Sequence, residues 1–306
     1  LRMTKLTHGA RGVFAIAATP FDDSGRLDLE SASRMVEFYL ERGVSGLAVL
    51  GLMGEAPKLT TEEALALARH VIRRVEGRVP VVVGASAPGF ASMAQLGRAA
   101  IEEGAAALMI QPPVAAARGD EAVLAYLTQC VEAIGEDSPW VLQDFPLASS
   151  VPMSAGLIRR IVETLPSCVM LKHEDWPGLD KLSAVRTALG RRIAILTGNG
   201  GIFLPFELLR GADGAMTGFA YPEMLVGVCA HHRAGRREQM LDLFDLYLPL
   251  VRYEQQPGLG LAARKYVLMR RGAIAGDTTR APAPHLSEAS RREIDWLCDR
   301  LEARLR

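Results

Sequence analysis

The chain has 306 residues, 49% of them hydrophobic and 23% charged, which gives ample material for a buried core and excludes a disordered or low-complexity protein. Lys plus Arg and Asp plus Glu both total 35, so no global field gathers nucleic acid or anionic lipid, and no run approaches the roughly 18 consecutive apolar residues of a membrane span. Cys130, Cys168, Cys229 and Cys298 lack CxxC spacing and read as buried thiols of a cytoplasmic protein; His231 and His232 cannot turn both rings to one helix face, so neither a metal nor a cofactor is expected.

Apolar runs recur at intervals of roughly 20 to 35 residues, each followed by a segment of helical period. Residues 13–18 precede the helical segment 29–41, with Asp28 as its cap. Residues 46–50 lead to 62–75 behind Thr60, and Glu63 three positions on completes a capping box. Then follow 79–83 with 91–103, 106–110 with 121–134 behind Asp120, 140–143 with 155–165 behind Ser154, 169–172 with 179–189, 193–197 with 203–209, and finally 214–217. The runs are continuously apolar, as in parallel strands covered on both faces. Gly43, Gly104 and Gly211 stand where helix ends need a left-handed residue. Eight βα units without a GxGxxG after the first strand predict a closed (β/α)8 TIM barrel, expected over residues 11–235. Beyond it the pattern is helical at 224–232, 237–250, 260–271 and 287–304, with a proline-containing connector at 281–285. Residues 236–306 are therefore expected to be a C-terminal helical extension packed on the barrel.

In such a barrel the chemistry sits where the strands end. The sixth run drives straight into Lys172, one of only five lysines in a chain that otherwise uses arginine. Burial favours the neutral amine, which attacks a carbonyl as arginine cannot. A lysine paired with Glu174 or Asp175 for structural reasons explains the same residues, and both readings stay open here. Strand alternation places Met170, Lys172 and Glu174 on one face and Leu171 and His173 on the other. Strand two ends in Gly51-Leu52-Met53-Gly54-Glu55, whose backbone N–H groups suit a carboxylate. Strand five ends in Gln143-Asp144, strand seven in Gly198-Asn199-Gly200-Gly201, and strand eight in Met216-Thr217-Gly218. The glycines after strands seven and eight leave a phosphosugar-binding barrel enzyme as an alternative.

Ala18-Thr19-Pro20-Phe21, the GxxGE of residues 51–55, the acidic-x-Pro segment 144–146, Lys172 and Gly211-Ala212-Asp213-Gly214-Ala215 occur in the order and spacing of one family over about residues 11–270. On these motifs the chain resembles the dihydrodipicolinate synthase and N-acetylneuraminate lyase family. The resemblance implies a homotetramer or homodimer in which Lys172 forms an imine with a 2-keto acid or aldehyde, with Gln143 and Glu174 beside it. It further implies substrate contacts at Gly51, Leu52, Met53, Gly54, Gly198, Asn199, Met216 and Thr217.

The departures are informative. Leu52 and Met53 stand where members carry two hydroxyl residues, and Gln143, which cannot titrate, stands where they carry a proton-relaying tyrosine. Ala148 and Pro112-Pro113 replace an arginine and a tyrosine pair of the synthases. Gly200-Gly201 replaces the acidic pair of the sialate lyases. A true dihydrodipicolinate synthase is therefore not expected; an aldol or dehydration lyase with a more apolar pocket is. Loss of the relay also leaves open a catalytically altered barrel that only binds a metabolite.

Overall fold

A computed structural model of the chain describes residues 5–87, 89–116 and 118–306. Eight parallel strands close on themselves in sequence order: β1 (Gly12–Ile16), β2 (Gly46–Val49), β3 (Val81–Gly84), β4 (Ala107–Ile110), β5 (Trp140–Asp144), β6 (Cys168–His173), β7 (Ala194–Thr197) and β8 (Gly214–Thr217). The register Phe14↔Met216 between β1 and β8 completes the ring. The chain is thus a TIM barrel, as its run of apolar segments implied.

Alternation sorts each strand's side chains into two cores. Phe14, Ile16, Val82, Met109, Val141, Met170, Leu196 and Met216 fill the barrel interior. Leu47, Val83, Leu108, Leu142, Leu171 and Ile195 face the helices outside. Interior packing is set by size complementarity: a Cβ on Gly46 would lie 2.4 Å from the Phe14 ring, so the missing side chain is the space that the ring occupies.

The ring of helices begins with α1 (Leu29–Glu41), α2 (Thr61–Val75), α3 (Phe90–Glu103) and α4 (Asp120–Ile134). It continues with α5 (Pro146–Ser149), α6 (Ala155–Thr164), α7 (Leu179–Leu189), α8 (Leu204–Leu209) and α9 (Pro222–Arg233). Asp28, Thr60 and Ser154 cap their helices as expected, and Thr60 forms the full capping box with Glu63, a feature that contributes about 1 kcal/mol. Asp120 does not cap α4: Gly119 occupies that position and Asp120 is the first helical residue, where its charge still favours the N-terminal dipole. Gly104, at φ 107°, ends α3 in the left-handed conformation that its place after a helix demanded.

After α9, helices α10 (Arg237–Glu254), α11 (Gly260–Arg270) and α12 (Glu288–Arg304) pack on one another and, through α10, on α9. The segment between α11 and α12 returns to the strand ends. Its Arg280 amide, together with Lys265 Nζ from α11, holds the carboxylate of Glu55, which Lys58 also reaches at 3.1 Å. The glutamate of the GxxGE turn is thereby fixed by residues more than 200 positions away. No helix among the described residues is long and apolar enough to cross a membrane.

Candidate active site

The β5–β6 register sets Gln143 beside Lys172 and Asp144 beside His173. Alternation then turns Gln143 and Lys172 into the barrel and Asp144 and His173 outward. The ladder runs one residue further through the bond from the Glu174 amide to the Asp144 carbonyl, 2.9 Å, which brings Glu174 to the inner face. Lys172 Nζ lies 3.0 Å from Glu174 Oε1, and Gln143 Nε2 donates to the same oxygen at 2.8 Å. All three are buried, so the amine, the carboxylate and the amide form one closed cluster. Of the two carboxylates considered as partners of Lys172, Glu174 is the one in contact; Asp175 pairs with Lys181.

The residues after β7 and β8 hold Glu174 from the other side. A Cβ on Gly198 would overlap its side chain at 2.4 Å, and Asn199 Nδ2 donates to its carbonyl at 3.1 Å. Gly198 donates its amide to His173, Gly201 to Gly198, and Gly200 to Thr217 Oγ1 at 2.8 Å. The amides of Gly198, Gly200 and Gly201 are thus already engaged. Met216 is fully buried in the barrel interior.

On the far side of the mouth, residues 52–54 form a single 3-10 turn, and the Thr19 hydroxyl donates to the Gly54 carbonyl. Gly54 and Glu55 donate their amides within the turn, to Gly51 and Leu52. The amides of Leu52 and Met53 open it and have no carbonyl to reach inside it. A cavity of about 650 Å³ lies beside this turn, over the ends of β2 to β5, lined among others by Gly51, Leu52, Met109, Pro112, Ala148 and Gln143. Lys172 is not in its wall; it is reached through Gln143 and Glu174.

Behind the cluster lies a second set of ionisable groups. His173 Nδ1 lies 3.3 Å from Asp144 Oδ2, and its Nε2 donates to the Gly178 carbonyl at 2.9 Å. Burial disfavours the imidazolium, but the bond and charge of Asp144 outweigh it and raise the pKa above its ordinary value. Lys181 Nζ lies 2.7 Å from the same Asp144 oxygen. Glu207, buried on α8, has its pKa pushed up to about 7 by desolvation. The sequence signals for this set were the polar strand ends Gln143-Asp144 and His173-Glu174-Asp175. They could not reveal that β5 and α7 supply the partners.

A model of the dihydrodipicolinate synthetase family matches residues 9–300. An L-2-keto-3-deoxyarabonate dehydratase of Azospirillum brasilense is 31% identical over 95% of this chain and 94% of its own length. A 4-hydroxy-tetrahydrodipicolinate synthase of Sorangium cellulosum is 31% identical over 96% of each chain. Among solved structures, the dihydrodipicolinate synthase of Rhodopseudomonas palustris superposes with a TM-score of 0.94 at 50% identity, covering 97% of this chain and 99% of its own.

Proposed function

The chain belongs to the dihydrodipicolinate synthetase family, and on that premise we propose that it is a lyase that holds a 2-keto acid as a Schiff base on Lys172. The observation that carries this reading is the place of Lys172 in a chain of this family: buried near the C-terminal end of β6, facing the barrel interior, and in register with Gln143 of the cavity wall. The amine attacks the keto carbon, water leaves, and the resulting imine accepts the electron pair released when the neighbouring carbon loses a proton or a C–C bond breaks. The Leu52 and Met53 amides receive the substrate carboxylate, in place of the hydroxyl side chains that this chain lacks.

Glu174 carries the proton. Its Oε1 already accepts from Lys172 and Gln143, so it can take the proton that the attacking amine sheds and return it to the departing oxygen. Gln143 does not titrate; it holds the carboxylate in register. Gly198 and Asn199 position Glu174, and Thr217 on β8 holds the same loop by accepting from the Gly200 amide. Ala148 and the Pro112-Pro113 pair, both in the cavity wall, offer no side chain to bind a second charged reactant, so we assign an aldol or dehydration reaction and not the synthase reaction. A homotetramer or homodimer belongs to the same proposal, as does a cytoplasmic location, which the four buried free cysteines suit.

Purified protein offered a panel of 4-hydroxy-2-keto acids and 2-keto-3-deoxy acids should release pyruvate from some member or remove water from it. Lys172→Ala should abolish that turnover while circular dichroism stays unchanged. Turnover that persists in Lys172→Ala overturns the proposal.

A further inference from the structure

The cavity over β2 to β5 has a volume suited to a ligand much larger than pyruvate. Its inner end is polar, through Gln143, and its outer wall is Leu52, Leu59, Leu96, Pro113, Val114 and Tyr126. None of the described side chains lining it is charged. Some of its hydroxyls already accept or donate elsewhere, while the side chains of Thr61, Ser92 and Gln111 make no hydrogen bond among the described residues. Thr60 accepts from the Glu63 amide in the capping box, and Ser86 accepts from the Gln111 amide at 2.9 Å. Ser149 donates to the Phe145 carbonyl and accepts from the Val151 amide. A polyhydroxylated chain lying along the outer wall would lose water at each hydroxyl and meet no charged side chain there, whereas an apolar group gains by leaving water against Leu52, Leu59, Leu96 and Tyr126.

The geometry points to a substrate whose end distal to the keto acid is uncharged and apolar, an aryl or branched alkyl group lodged between the β2 turn and the β4 loop. This inference rests on the Schiff-base reading above. In the condensing direction, pyruvate and Lys172 form an imine with loss of water, and its methyl carbon gives up a proton to leave an enamine. That carbon attacks the carbonyl carbon of an apolar aldehyde, and the aldehyde oxygen takes a proton as the new C–C bond forms. Water then hydrolyses the imine, releasing a 4-hydroxy-2-keto acid and the free amine. Cleavage is the reverse, with the aldehyde as the departing fragment.

The test is borohydride trapping on the intact chain, read as the concentration of keto acid that half-saturates labelling of Lys172. The probes are pyruvate, 4-phenyl-2-oxobutanoate and a five-carbon 2-keto-3-deoxy sugar acid. Burial of a phenyl group should let the phenyl acid half-saturate at a concentration about 30-fold below that of the sugar acid. Leu59→Gln should narrow that gap by about threefold or more and leave pyruvate labelling unchanged. Equal half-saturation, a preference for the sugar acid, or a gap untouched by Leu59→Gln overturns the inference while pyruvate labelling leaves the Schiff base standing. Absence of labelling by all three probes overturns both.

Discussion

Replacing Glu207 by Gln should make the protein more stable at alkaline pH and leave it almost unchanged in acid. Glu207 is only 6% exposed, and its Oε2 has no hydrogen-bond partner among the described residues. Desolvation raises its pKa from 4.5 to about 7, against smaller opposing effects of the Thr197 hydroxyl and His173. Between those values the folded chain keeps a proton that the unfolded chain has released. The stability that this proton provides is complete below pH 4.5 and is lost as pH rises through 7. The full displacement corresponds to about 3 kcal/mol. Gln cannot ionise, so the variant escapes the loss. Thermal unfolding followed by circular dichroism should show wild type and Glu207→Gln within about 1 kcal/mol of each other at a pH of about 5. At a pH of about 8.5 the variant should melt roughly 5 °C higher. An equal gain at both pH values, or a loss at the alkaline one, would refute the argument, since the variant lacks the one ionisation by which it should differ from wild type between the two conditions.

Lys265→Met should cost about 3–5 kcal/mol in chemical denaturation, because it strips the principal cation from the fully buried Glu55; a cost under about 1 kcal/mol would mean that Lys58 and the Arg280 amide suffice. Gly198→Ala should leave the far-ultraviolet spectrum unchanged yet reduce turnover by about a hundredfold, as the new methyl displaces Glu174 from Lys172. Full activity in that variant would show that the position of Glu174 is not critical. Gln143→Leu should lower turnover by roughly ten- to a hundredfold and still permit adduct formation at Lys172, since it frees Glu174 without touching the amine; loss of the adduct would instead make Gln143 part of imine formation.

The barrel was legible because its strands are buried on both faces, so each appears as an uninterrupted apolar run and needs no partner to be recognised. Helix starts at Thr60 and Ser154 were legible for a similar reason: the capping bond is local. Asp120 was misassigned because Gly119, at φ 111°, takes the turn into α4 and shifts the acidic residue one place inward. The Lys172 and Glu174 pair followed from alternation along one strand, but the third member, Gln143, depends on the β5–β6 register, which a bulge at Trp140 and Val141 resets. Contacts across the chain were not legible at all. Nothing near Glu55 in sequence announces that Lys265 and Arg280 hold it. Met216, expected to shape the pocket, is consumed by the barrel interior, whereas the apolar character of the cavity comes from Leu59, Leu96 and Tyr126 on α2 to α4 and the loops beside them.

The central claim concerns one atom, Lys172 Nζ. Incubation of the purified chain with pyruvate and borohydride, followed by proteolysis and peptide mass spectrometry, reads it directly. The expected result is a reduced pyruvate adduct on the peptide containing Lys172, and none on those containing Lys181 or Lys265, whose amines are held by Asp144 and Glu55. No adduct at Lys172 across pyruvate and larger keto acids, or labelling confined to another lysine, would contradict the account.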